Sequence, residues 1–142
     1  MIVVDTTVLV YAVGTEHPYR DSCRSLVEAV RTGAIRATTT VEVIAEFAHV
    51  CARRRGRHDA RRLASAYAEL LAPLLTTSET NLHVGLDLWS RNEGLGAFDA
   101  VLAAVAHDIG ALALVSSDRA FGRLEGVSHV LPDEAGLAQL LG

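Results

Sequence analysis

The chain has no lysine; all 13 of its basic residues are arginine. That absence removes several phosphate-handling α/β proteins at once. Phosphatases and phosphotransferases of the haloacid dehalogenase type open on a strand-end aspartate, but they set a second acid two residues later and a lysine near the phosphate. Here the position two residues after Asp5 is Thr7, and no lysine exists. Phospho-receiver domains need a lysine beyond their aspartate, and a nucleotide-binding P-loop needs a Gly-Lys-Ser/Thr run. Both are excluded. Cysteine is scarce too: Cys23 and Cys51 form no CxxC pair and no zinc spacing, so both are expected to be reduced, buried and idle. Aromatic residues make up 5% of the chain, which leaves base stacking without an evident platform; Trp89 is expected in the core. No apolar run reaches membrane-spanning length, and Met1-Ile2-Val3-Val4-Asp5 lacks the basic start of a secretory signal. The expectation is a cytoplasmic protein without a membrane partner.

What is present reads as one globular domain over residues 1–142. Hydrophobic residues make up 50% and charged residues 21%, with no repeat, linker or low-complexity tract. Ile2-Val3-Val4 is a β-branched run ending at a carboxylate, the pattern of a buried strand. A short helix follows through Thr7–Ala12. Pro18 opens another that runs to about Arg31, with Cys23, Leu26, Val27 and Val30 on one face. Thr38-Thr39-Thr40 offers cap hydroxyls for a helix over Val41 to about Arg53, where Val43, Phe47 and Val50 recur at helical spacing. Further helices are expected over Asp59–Leu71, Asn81–Arg91 (anchored by Leu82, Leu86 and Trp89), Phe98–His107 and Glu134–Leu141. Leu112–Val115 and His129–Leu131 read as two more strands. Short apolar strands alternating with helices imply an α/β fold, a central parallel sheet flanked by helices. Such a sheet places ligands beyond the carboxyl ends of its strands, where Asp5 and Asp118 fall.

Four acids stand where a purely structural role is hard to supply. Asp5 ends the first strand and Asp118 follows the second; Glu46 lies on a largely apolar helix and Asp99 opens an alanine-rich one. Carboxylates gathered together repel unless a cation intervenes. Magnesium and manganese prefer oxygen ligands, and such an ion can polarise a phosphodiester and activate water. Plainer roles compete: Asp5 and Asp99 as helix caps, Asp118 as a turn acid, Glu46 as a surface acid paired with Arg53 or Arg54. Glu46-Phe47-Ala48-His49 is also an ExxH, half of a di-iron carboxylate motif, but no second copy exists.

The ordered set of segments resembles a known family. Val3-Val4-Asp5-Thr6-Thr7-Val8-Leu9 is similar to the opening of PIN-domain ribonucleases, particularly the VapC-type toxins of toxin–antitoxin pairs. Thr40-Val41-Glu42-Val43-Ile44-Ala45-Glu46-Phe47 resembles the segment in which a hydroxyl residue precedes a glutamate by six. Leu95-Gly96-Ala97-Phe98-Asp99-Ala100-Val101-Leu102-Ala103-Ala104 and Leu114-Val115-Ser116-Ser117-Asp118-Arg119-Ala120-Phe121 resemble its third and fourth acidic motifs. The resemblance implies a PIN-like fold, with Asp5, Glu46, Asp99 and Asp118 as catalytic, metal-holding acids. Thr7 and Ser116 match the hydroxyl positions that orient the site, and Glu42 is the fallback for Glu46. It further implies magnesium (Mg2+) or manganese (Mn2+) as cofactor, RNA as substrate, 5′-phosphate and 3′-hydroxyl products, a cognate antitoxin and homodimerisation. A housekeeping RNA-processing PIN nuclease and a non-catalytic metal- or partner-binding module are the alternatives.

Net charge is −4, so no overall field draws the molecule to nucleic acid. The distribution is uneven: Arg53, Arg54, Arg55, Arg57, Arg61 and Arg62 hold six of the 13 cations within ten residues. Arg53, Arg54 and Arg55 are candidates for bidentate contact with RNA phosphates. The competing reading is a solvated helix end, where cations suit the dipole.

Overall fold

Ile2–Val4 form strand β1, buried along its whole length, as an unbroken apolar run requires at the centre of a parallel sheet. The computed structural model describes residues 1–142. After β1 come α1 (Thr6–Val13), α2 (Arg20–Arg31), β2 (Ala37–Thr38), α3 (Val41–Arg55), α4 (Arg57–Leu70), α5 (Glu79–Arg91) and α6 (Ala97–Asp108). Then follow β3 (Leu114–Val115), a 3₁₀ turn (Arg119–Arg123), β4 (His129–Val130) and α7 (Glu134–Leu141). The four strands are all parallel, in the order β2-β1-β3-β4. This is the expected α/β architecture. No helix is long and apolar enough to cross a membrane.

Strand β2 escapes the sequence reading because it is two residues long and runs straight into a threonine-rich cap. Both roles are real. Val3 pairs in register with Thr38, while Thr40 accepts a hydrogen bond from the Val43 amide at 3.2 Å and starts α3. Thr39 between them donates to the Val4 carbonyl at 2.6 Å, tying the end of β2 to the end of β1. Strand order reverses at β1, which has β2 on one side and β3 on the other. In such sheets the connections diverge at the reversal and leave a crevice beyond the strand ends.

Two helix pairings shape the faces around that crevice. Gly56, with φ +81°, is at once the end of α3 and the start of α4. Only glycine takes that left-handed value without strain, and it folds the two helices against each other with Phe47 and Tyr67 edge to face at 5.0 Å. The cysteines on this side, Cys23 and Cys51, are free and buried as expected, and burial pushes the Cys23 thiol up to about 12.

The α5 reading needs correction. Leu82, Leu86 and Trp89 are expected as core anchors, yet all three are exposed, Trp89 by 48%. Two stripes on this helix have the same i, i+4, i+7 spacing. The one that turns inward carries Asn81, Gly85 and Leu88, because glycine lets α5 approach α6 closely. A Cβ at position 85 would lie 2.6 Å from the Val101 Cα, inside any permitted contact. The substitution Gly85→Ala should therefore force the helices apart and cost about 1–3 kcal/mol, an overpacking penalty. Urea denaturation would read this as a lowered midpoint at unchanged slope, whereas Trp89→Ala, which opens no internal cavity, should stay within about 0.5 kcal/mol of the parent.

Candidate active site

Asp5 leaves β1 into the crevice, its amide held by the Val115 carbonyl at 2.9 Å. It precedes α1 but its side chain does not cap that helix. Instead Oδ2 accepts two hydroxyls, Ser116 Oγ at 2.7 Å and Thr7 Oγ1 at 3.2 Å, which leaves Oδ1 without a partner in the chain. Ser116, the first residue past β3, is fully buried, and its Oγ also accepts the Asp118 amide at 3.0 Å. Thr7 Oγ1 accepts the Ser117 amide at 3.1 Å. The two hydroxyl residues thus lock the ends of β1 and β3 together around one carboxylate oxygen.

Glu46 arrives from α3. Its neighbour Phe47 is fully buried, and that anchor turns Glu46 toward the crevice. It pairs with neither Arg53 nor Arg54; Arg53 donates to His49 Nε2 at 3.2 Å instead. Burial and the nearby Asp5 charge raise the Glu46 carboxyl, while the Thr6 hydroxyl beside it pulls in the opposite direction. Thr6 Oγ1 is buried and has no partner in hydrogen-bonding geometry, the one side-chain atom of which that is true. Sequence reasoning missed Thr6 because a second threonine in a strand-end turn carries no distinguishing signal. Glu42 also borders the crevice, where it accepts the Thr77 hydroxyl at 3.2 Å.

Asp99 sits in the first turn of α6, whose N-cap is Gly96, so capping does not account for it. Burial pushes its carboxyl up to about 7, reinforced by Asp5, then Asp118, then Glu46. The four acids are therefore near enough to act on one another, and none of them is in an ion pair with an arginine. Asp118 is partly engaged: Oδ1 accepts the Ala120 amide at 2.9 Å and caps the 3₁₀ turn, in keeping with the plainer role of a turn acid. No three acidic, histidine or cysteine side chains close around a single point in the manner of a metal cage.

The crevice has a volume of about 350 Å³. Asp5, Glu46 and Asp99 line it together with the apolar side chains of Leu82, Leu86 and Phe98. Phe98 is 82% exposed, while the other two phenylalanines are fully buried. Its place beside Asp99 on an alanine-rich helix was the available signal for this apolar lining. Arg53, Arg54 and Arg55 lie outside the crevice, exposed at the far end of α3.

The raised Asp99 carboxyl has a consequence for stability. An aspartate titrates near 3.9 in the unfolded chain, so between about pH 4 and pH 7 the folded state binds the extra proton. Stability of the metal-free protein should then fall as pH rises through that window. In chelator, the urea midpoint should decline across it, and Asp99→Asn should flatten the decline and stabilise the protein above pH 7; a parallel decline in the variant would contradict the assignment.

Comparison with known proteins shows the family. Residues 2–127 match the model of the PIN domain family. The chain is 54% identical to ribonuclease VapC7 of Mycobacterium tuberculosis, covering 100% of this chain and 99% of that protein. It is 30% identical to ribonuclease VapC13 of the same organism, over 92% of this chain and 99% of the relative. Among solved structures it superposes on M. tuberculosis VapC20, a sarcin-ricin loop cleaving toxin, with a TM-score of 0.71 at 14% identity, covering 89% of this chain and 98% of that one. Rickettsia felis VapBC2, solved bound to a DNA fragment from its promoter, gives a TM-score of 0.69 at 19% identity, over 92% and 98%. By fold, by ordered motifs and by descent, the chain belongs to the PIN-domain family, among the VapC ribonucleases.

Proposed function

We propose that this chain is a metal-dependent ribonuclease that hydrolyses RNA phosphodiester bonds, the toxin of a toxin–antitoxin pair, working as a single domain over residues 1–142. Asp5, Glu46, Asp99 and Asp118 are its catalytic and metal-holding acids, with Thr7 and Ser116 as positioning residues. The observation that carries this reading is a crevice at the strand ends lined by Asp5, Glu46 and Asp99, with Asp5 Oδ2 fixed by Ser116 and Thr7, Oδ1 free and no arginine paired with any of these acids. Relatives support the chemistry, since VapC7 and VapC13 are ribonucleases and VapC20 is a toxin that cleaves the sarcin-ricin loop. Likeness to VapBC2, named as a two-component assembly, supports an antitoxin as protein partner.

The donor set suits a hard divalent cation. It is all oxygen, Asp5 Oδ1 is uncommitted, and magnesium is commonly held by one or two carboxylates with waters completing its shell, so a full protein cage is unnecessary. Magnesium (Mg2+) or manganese (Mn2+), held by Asp5 and Asp99 with Glu46 and Asp118 around them, would supply Lewis-acid polarisation of the phosphodiester and an acidified water as nucleophile. Ser116 and Thr7 fix the direction of Asp5 by occupying Oδ2. Asp99 gives up its proton as the cation is taken, so metal affinity should climb as pH rises toward 7. The apolar side chains of Leu82, Leu86 and Phe98 in the same crevice would displace water from a bound strand and so strengthen the electrostatics inside.

The test is cleavage of labelled cellular RNA by purified protein with magnesium or manganese and with chelator. Cleavage is expected only with the ion, and Asp5→Asn should lower it by roughly 100-fold or more, the scale set by losing one preorganised electrostatic group, with the circular dichroism spectrum retained. Cleavage indifferent to chelator, or undiminished in the variant, would refute the mechanism.

A further inference from the structure

The six clustered arginines divide by what they touch. Arg55 and Arg62 share Asp59, at 4.0 and 3.3 Å, and Arg55 also donates to the Val13 carbonyl at 2.6 Å. Arg54 lies in a small crevice beside Gly14 and α1. The other three, Arg53, Arg57 and Arg61, line an open groove of about 690 Å³ between α3 and α4, and none of them has an acidic partner. Its floor is made of small residues such as Ala52, Ala60 and Ala64. The groove adjoins the acidic side of the molecule: His49 lines both it and a neighbouring recess that contains Glu46, Phe98 and Asp99.

Helix geometry explains the alignment. Glu46, His49 and Arg53 fall at i, i+3 and i+7 of α3, one face, spanning about 10 Å along the axis. Arg57 and Arg61 stand at i and i+4 of α4, across the groove. The Arg53 guanidinium, which can only donate, is directed at His49 Nε2 at 3.2 Å. The helix dipole accounts for arginines at the end of α3 but not for Arg57 at the first position of α4, where a cation is disfavoured. A row of unneutralised guanidinium groups over a floor of alanines, with Ile44 its one larger apolar side chain, complements a polyanion better than a protein segment, which would want several apolar anchors.

From these observations we infer that the α3–α4 groove is a track for the RNA strand where it leaves the acidic crevice, with Arg53, Arg57 and Arg61 holding successive backbone phosphates. This rests on the ribonuclease reading above and replaces the contiguous Arg53–Arg55 run by one groove-facing set. The acids repel the strand they cut unless a cation screens them; the track supplies fixed positive charge two turns away, out of reach of the metal ligands.

The experiment measures binding of a fluorescent single-stranded RNA to the full chain in chelator, as a function of salt. Removing one arginine–phosphate pair on a single strand lowers the slope of log K against log salt by about 0.7. The triple variant Arg53→Gln/Arg57→Gln/Arg61→Gln should therefore lower the slope by about 2, and Arg62→Gln should leave it unchanged. With magnesium restored, the triple variant should raise KM roughly tenfold or more at little change in kcat, because the arginines bind ground and transition states alike. If the triple variant misfolds, Arg57→Gln alone should still lower the slope by about 0.7. A wild-type slope in the variants, with RNA still bound and cut by the parent, overturns the track and leaves the groove to a protein partner. A parent that neither binds nor cuts any RNA overturns the ribonuclease reading and the track with it.

Discussion

Crowding of like charge at the open end of the sheet is the constraint on which the rest of this structure turns. Asp5 is 5% exposed, and burial, reinforced by the neighbouring acids, pushes the Asp99 carboxyl up to about 7. Such a group works against folding when ionised, since a buried charge must be paired or solvated. The chain supplies no internal arginine to relieve it. What holds the acids in place is therefore backbone and core: β1 and β3 aligned by parallel hydrogen bonds, and hydroxyls of Ser116 and Thr7 closed on Asp5. The repulsion is left for something outside the chain to satisfy.

Glu46 and Asp99 are each directed by an apolar neighbour. Phe47 is fully buried next to Glu46, and Ala100 is fully buried next to Asp99. The small residues of α6 matter here: Ala100, Ala103 and Ala104 are buried, and their small side chains let that helix pack closely into the core beside Asp99. Helix α6 also meets Gly85 of α5, and that close packing leaves Leu82 and Leu86 facing the crevice. Acidic and apolar side chains thus share one cleft, and the positive charge is kept apart from it, gathered around Gly56 at the far end of α3. A protein of net charge −4 presents a local cationic surface only because these arginines lie within ten residues and α3 and α4 fold back on each other.

Much of the fold was legible in the sequence, for reasons that can be named. The strands β1 and β3 are β-branched or leucine-rich runs that stop at polar residues, and a buried parallel strand has little other way to look. Helices α2 and α3 declare themselves by periodicity, with Pro18 near the start of the first and Thr40 capping the second. Where the reading slipped, two signals of equal local strength competed. In α5 the stripe of large residues and the stripe containing Gly85 have the same spacing, and only the partner helix could choose between them. Strand β2 was hidden because two residues of a threonine-rich run can be extended and cap a helix at once.

Local chemistry along the chain determined which residues could form strands and helices, and it marked Asp5, Glu46, Asp99 and Asp118 as acids in unusual places. It could not bring them together. Periodicity is a property of neighbours within about two turns or a few strand residues, whereas these acids are separated by between 19 and 113 positions. Their convergence, the unpartnered Thr6 hydroxyl, the exposure of Phe98 and Trp89, and the division of the arginines between Asp59 and the groove were decided by strand order and helix packing. Those are long-range choices, settled by which buried faces fit against one another, and no single segment carries them alone.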